Sequence, residues 1–145
     1  MKASELRIGN YIYQCGESVN GAIMPTPNIL FVTQINQAGV YTRAVDRANN
    51  LPTFSMYEKI APIPIAAEWL ERLGFSFNRS VAVFDEFQKD NIVYMIWKNG
   101  RKDLGLDTNV VSYGNKHIKC QFVHQLQNLF YALTGEELAI KSESK

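Results

Sequence analysis

The chain contains the stretch VHQLQNLFYALTGEEL at residues 123–138, which indicates most clearly how the protein folds. At about 100° per residue, its large apolar side chains gather on one side of a helix. They are Leu126, Leu129, Phe130 and Leu133, with Val123 at the edge of this face. Burying four such side chains contributes on the order of 6–12 kcal/mol before conformational entropy is subtracted. We therefore predict a packed helix at 123–134, ended by Gly135, with Leu138 folding back after it.

The other side of this predicted helix is polar. It carries His124, Gln127, Asn128 and Tyr131. Because Tyr131 is a large aromatic side chain among amides, this side is a candidate partner-binding face; a solvated or partly packed face is the alternative. A catalytic role for His124 is disfavoured, since the positions three and four residues away hold Cys120, Gln121, Gln127 and Asn128, and Cys120 lies on the apolar side of a predicted strand.

Residues 6–64 are typical of β structure, and residues 66–73 of a helix. Predicted strands cover 6–14, 29–39, 40–48 and 54–65, with a long loop at 16–28. The opening LRIGNYI resembles the first strand and turn of small SH3-like barrels. Trp69, Leu70 and Leu73 share one helix face with Ala66, and Gly74 is the expected terminator.

A second antiparallel meander is predicted at 80–123. Strand patterns at 80–87 and 91–98 are followed by Asn99-Gly100, which favours a tight hairpin turn. The predicted fold class is thus α+β: a small SH3-like barrel or bent sheet, then a second meander, with two amphipathic helices. We expect one domain over 1–145, and if it divides, sub-lobes at 1–64 and 65–145.

The net charge of +1 disfavours a dedicated nucleic-acid-binding protein, because phosphate neutralisation requires a basic excess. A local patch is the alternative. Its candidate residues, with aromatic faces for stacking, are Lys98, Arg101, Lys102, Lys116 and Lys119, interleaved with Tyr94, Trp97 and Tyr113. The competing interpretation places the aromatics in the core and the lysines along strand edges.

No constellation for catalysis, metals or cofactors stands out. Cys15 and Cys120 are distant in sequence and have no zinc-ligand spacing, so two reduced thiols are expected. Phosphate-binding glycine motifs are absent. Asp85-Glu86 with Lys89 has the wrong spacing for one strand face, and Asp103 with Asp107 suits solvated strand edges better than a cation site. We predict no enzyme activity, no metal and no cofactor.

No segment has membrane-spanning length, and MKASELRIGN has no apolar leader segment. The sequence therefore predicts a cytoplasmic protein without a membrane partner.

Three blocks, MKASELRIGNYIY, IAPIPIAAEWLERLGF and VHQLQNLFYALTGEEL, resemble an uncharacterised family of small proteins from Bacteroidetes and their phages or integrated mobile elements. The chain departs from the family pattern at Ile65-Ala66-Ala67, which offers no side-chain cap before the Trp69 helix. The resemblance implies an accessory protein of a phage or mobile element in a bacterial host cell, and it brings no activity or site residues.

Three function classes follow from these patterns. The favoured one is a non-enzymatic binding or structural protein that acts through a protein partner or its own copies. The alternatives are a nucleic-acid-binding module and a small-molecule binder, for example one that sequesters a signalling nucleotide.

Overall fold

The computed structural model describes residues 1–15, 25–46, 51–98 and 109–141. The chain divides into two compact units: Met1–Ile63 with Phe122–Asn128, and Pro64–Gln121 with Leu129–Lys145. Each unit holds a five-stranded antiparallel sheet, so the predicted α+β class is confirmed. The division falls beside the expected boundary of sub-lobes 1–64 and 65–145, except that the start of the closing helix belongs to the first unit. A single domain over 1–145 stays a prediction.

The first sheet has the strand order β4-β3-β2-β1-β5. Its strands are β1 (Tyr11–Cys15), β2 (Pro25–Ile35), β3 (Gly39–Ala44), β4 (Thr53–Met56) and β5 (Ile60–Ala61). A 3-10 turn at Tyr57–Lys59 leads into β5, which pairs with β1. All pairings in this sheet are antiparallel, and its closure into a small SH3-like barrel stays a prediction.

Alternate residues of this sheet form its core, as a period of two requires. Ile12 lies opposite Leu30, and Val32 lies opposite Thr42. The core cluster comprises Leu6, Ile12, Leu30, Val32, Val40 and Ile60. Burial of these apolar side chains on one side of the sheet therefore stabilises the first unit.

Several predicted boundaries in the first unit were wrong. The first strand begins at Tyr11, because Gly9 (φ 97°) and Asn10 turn the chain before it. The loop predicted at 16–28 ends earlier, since β2 already includes Pro25. The strand predicted at 54–65 is interrupted by the 3-10 turn at Tyr57–Lys59.

The second sheet has the order β10-β9-β8-β7-β6. Its strands are β6 (Ser76–Ser80), β7 (Phe84–Lys89), β8 (Ile92–Trp97), β9 (Val110–Tyr113) and β10 (Lys116–Lys119). Neighbouring strands in chain order pair antiparallel, as a meander does. The second meander starts at Ser76, earlier than the predicted range 80–123. The segment predicted as one strand at 80–87 contains a turn at 81–83, which separates β6 from β7.

Helix α1 (Ala67–Arg72) follows a residue without a side-chain cap, as the sequence indicated. It buries Trp69, Leu70 and Leu73, whereas Ala66 is exposed. Helix α2 (Val123–Thr134) has the predicted bounds. Gly74 (φ 90°) and Gly135 (φ 74°) end the two helices in the left-handed conformation that glycine adopts without strain.

Three predicted features lie outside the described residues: most of the 16–28 loop, the Asn99-Gly100 turn, and the pair Asp103 and Asp107. Within the described residues, neither helix has the length and apolar run needed to cross a bilayer.

We expect Leu126→Ala to cost about 2–5 kcal/mol of unfolding free energy, because this side chain is 0% exposed and its removal leaves a cavity. Tyr131→Ala is the contrast, since Tyr131 is 42% exposed and should cost less than about 1 kcal/mol. Urea unfolding of the full chain measures both. Equal losses would contradict the burial assigned to the two sides of α2.

Candidate functional site

The four residues predicted to form a partner-binding face do not share one exposed surface. His124 and Gln127 are 3% and 1% exposed, so these two side chains do not lie on an open face and are packed. Asn128 is half-buried, and Tyr131 keeps an exposed ring. Tyr131 belongs to the second unit, whereas the other three belong to the first. A partner contact at Tyr131 stays a prediction.

Gln127 is buried because its amide completes the backbone hydrogen bonds at the start of β1. Its Oε1 accepts from the backbone N–H of Tyr11 at 2.9 Å, and its Nε2 donates to the carbonyl of Gly9 at 2.9 Å. β5 pairs with β1 only at Tyr13 and Gln14, farther along the strand. The side chain of a helix residue thus replaces a neighbouring strand at this point.

Two asparagines extend this arrangement into an amide network. The Nδ2 of Asn10 donates to Oδ1 of Asn128 at 2.9 Å and to Oε1 of Gln127 at 3.4 Å. The Oδ1 of Asn10 accepts from the backbone N–H of Arg7, and Asn128 donates to the carbonyl of Glu5. Because buried polar groups need partners, this network explains the polar residues of α2 without a ligand.

We expect Gln127→Leu to destabilise the protein by about 2–4 kcal/mol, since it strands the N–H of Tyr11 and the carbonyl of Gly9 without partners. Gln34→Leu makes the same chemical change on the exposed face of β2 and serves as the matched control. Chemical denaturation compares the two variants. Similar small losses in both would show that the network contributes little.

His124 also lies in the first unit, where its side chain is buried. Its ring is nearly parallel to Phe122 (14°), with centroids 6.0 Å apart, and its Nδ1 is buried without a hydrogen-bond partner among the described residues. A shallow pocket of about 300 Å³ adjoins it, lined also by Lys2, Glu5 and Gln125. Burial lowers the pKa of His124 from its ordinary value of 6.5; Glu5 opposes this shift, and the α-amino group of Met1 adds to it. The imidazole is therefore neutral at pH 7.

This lowered pKa predicts how stability depends on pH. The unfolded chain binds a proton near pH 6.5 and the folded chain only at lower pH, so stability is lost as pH falls through 6.5 toward the folded-state pKa. Between about pH 7.5 and about pH 5, we expect the unfolding free energy of His124→Gln to fall less steeply than that of the parent protein. Gln34→Leu, which removes no titratable group from the exposed face of β2, should retain the parent slope. A parent slope retained in His124→Gln would refute the assignment.

The alternative nucleic-acid patch is not assembled by its described members. Tyr94 is fully buried, its hydroxyl donates to the carbonyl of Cys120 at 2.6 Å, and burial raises its pKa. Trp97 is half-buried against Phe84, with ring centroids 5.2 Å apart. Tyr94 therefore cannot stack on a base, and this part of the alternative was wrong.

The basic members of that patch are separated. Lys98 donates to Ser80 Oγ at 2.6 Å and forms a salt bridge with Asp85 at 3.2 Å. These partners lie on β6 and β7, whereas Lys116 and Lys119 lie exposed on β10, at the opposite end of the sheet order. Arg101 and Lys102 lie outside the described residues.

The Ser80, Asp85 and Lys98 contacts do not form a nucleophilic site. The ammonium of Lys98 also donates to the carbonyl of Val81 at 3.0 Å, which suits a structural cation. The hydrogen bond from Ser80, and then Lys98, lowers the pKa of Asp85. Asp85 accepts from the Ser80 hydroxyl, but its lowered pKa makes the carboxylate a weak base, so it is poorly suited to activate the serine as a nucleophile.

The remaining candidate reactive groups among the described residues do not form a catalytic or metal site either. Glu86, next to Asp85, points to the opposite sheet face and bonds Asn78 and Arg79. No group of three or more metal-ligating side chains occurs among the described residues. Both cysteines are free thiols, and burial raises the pKa of Cys120 to about 12. Such a thiol is unreactive at neutral pH.

A surface that the sequence did not reveal lies at β4. This strand ends the first sheet, and among the described residues it pairs only with β3. Phe54 and Met56 alternate on one face of β4 and are 39% and 46% exposed. The Phe54 ring contacts Tyr41, with centroids 5.3 Å apart. Leu51, just before the strand, is 85% exposed.

A groove runs along β4. Two cavities, of about 180 and 460 Å³, share Gln14, Thr53 and Ser55 in their walls and so adjoin each other. We call this surface the β4 groove, defined by Gln14, Cys15, Asp46, Thr53–Met56 and Lys59. The smaller cavity includes Asp46, and the larger one includes Lys59. The alternation of FSM at 54–56 indicates a strand, but no sequence signal shows that the strand ends a sheet.

Comparison with known proteins finds no matching family model, curated protein or solved structure. The geometry of the described residues therefore has to carry the functional argument.

Proposed function

We propose that this protein is a non-enzymatic binding protein that captures an extended segment of a protein partner, which adds as a strand to β4. The observation that carries this proposal is the exposure of Phe54 and Met56 on an end strand beside a groove. An end strand presents unpaired backbone N–H and C=O groups, which give affinity to an added strand, while alternate side chains give specificity.

The other three end strands have features that oppose such pairing. β5 has only two residues, and β6 contains a bulge between Phe77 and Arg79. β10 carries the exposed charges of Lys116 and Lys119. Short edges, bulges and lysines are the usual means by which proteins block edge-to-edge association. β4 has exposed apolar side chains in their place, which favours a binding role.

The charge of the β4 groove favours a protein segment over nucleic acid. Asp46 and Lys59 are the charged residues that line it, and they sum to zero. A nucleic-acid groove needs an excess of cations for phosphates. Cys15 lines the groove as well, but burial raises the pKa of its thiol, which disfavours a nucleophilic role.

The wider role proposed here is that of an accessory protein of a phage or mobile element. Its support is the resemblance of the three sequence blocks, and the β4 groove supplies a means by which such a protein binds a host or element protein without catalysis.

We expect Phe54→Lys to raise the dissociation constant for a recovered and purified partner by about 10-fold or more, because a charge at this position opposes strand addition. Phe77→Lys is the matched control: Phe77 is 55% exposed on β6, and its ring contacts that of Phe87. It should leave the constant within about 2-fold of the parent value.

The experiment incorporates a photo-crosslinking residue at position 54 to identify the partner, then measures calorimetric binding with purified proteins. Both lysine variants must retain the parent unfolding midpoint. An unchanged constant in Phe54→Lys, or an equal loss in Phe77→Lys, would refute the proposal. A crosslink to a second copy, with a concentration-dependent dimer in solution, would replace the partner by self-association.

A further inference from the structure

We infer that the segment bound at β4 runs antiparallel to it, with an acidic residue near its start and a basic residue near its end. This inference rests on the proposed function and adds the chemistry of the partner segment. It follows from the position of two charges along the β4 groove and from the direction of β4 itself.

The two charges mark opposite ends of the groove. Asp46 lines the cavity that also contains Leu51, just before β4, whereas Lys59 lines the cavity that also contains Met56, the last residue of β4. Both side chains are exposed, and neither forms a salt bridge within the described residues. Each is therefore available to a charge of opposite sign on a bound segment.

The direction of the bound segment follows from the sheet. Every ladder of the first sheet is antiparallel, including β3 with β4. Antiparallel pairing is also slightly more stable per residue than parallel pairing. An added antiparallel strand begins beside Met56 and Lys59 and finishes beside Thr53 and Asp46. An acidic residue is thus favoured early in the segment and a basic residue late.

The two faces of β4 set the pattern between these charges. Positions opposite Phe54 and Met56 favour apolar, β-branched side chains, since cross-strand apolar pairs stabilise a sheet. Positions that face the groove lie beside Thr53 and Ser55 and favour hydroxyl or amide groups. The segment is consequently a short alternating strand with opposite charges at its ends.

The test uses two synthetic peptides of about ten residues with the same alternating Val and Thr core and blocked termini, so that terminal charges are absent. One has Glu near the start and Lys near the end, and the other has these two exchanged. We expect the first to bind the full chain about 10-fold more tightly in calorimetry at low salt, with the preference shrinking as salt screens the charges.

The double variant Asp46→Lys, Lys59→Glu should invert this preference. The control Lys116→Glu, on β10, should leave it unchanged. Equal affinities for the two peptides, or a preference for the exchanged peptide in the parent protein, would overturn the inference.

The outcomes also separate this inference from the proposed function. One outcome is that neither peptide binds, while Phe54→Lys still weakens binding of the purified partner. This outcome would refute the assigned charge pattern and support strand capture. If partner binding is insensitive to Phe54→Lys, strand capture itself falls.

Discussion

The hydrogen bonds of the Gln127 side chain are the constraint on which the first unit depends. They connect the start of α2 to Gly9 and Tyr11, where the chain leaves its turn and enters β1. β1 in turn pairs with β2 and β5. Without this amide, two backbone groups at the head of β1 would lose these hydrogen bonds, at a cost of about 1–3 kcal/mol each. Asn10 and Asn128 are tied to the same point.

This use of polar groups explains why the conspicuous residues of α2 offer no chemistry. The amides of Gln127 and Asn128 are occupied by backbone and side-chain partners, and the imidazole of His124 is neutral and buried. In the second unit, Lys98 and Asp85 likewise neutralise each other. The two amides of α2 are thus structural groups with hydrogen-bond partners. Among the described residues, the edge at Phe54 and Met56 instead keeps apolar side chains exposed.

The four end strands of the two sheets differ in length, regularity and exposed side chains. β5, β6 and β10 each carry a feature that disfavours pairing, whereas β4 joins an exposed apolar face to a groove with one charge near each end. Binding by strand addition needs no reactive residue, only unpaired backbone groups and complementary side chains. This is consistent with a protein whose described titratable groups form no catalytic set.

The sequence by itself determined the α+β class, the bounds of α2, the apolar faces of both helices and their glycine ends, because these follow from local periodicity and backbone sterics. It also indicated that Glu86 and Lys89 do not share one strand face. It did not determine that Gln127 and His124 are buried, since helical periodicity places them opposite Leu126 and Phe130 and does not show what packs there. Nor did it reveal β4 as an end strand or bring Asp46 and Lys59 to one groove. Those depend on pairing between distant segments, which only the tertiary structure decided.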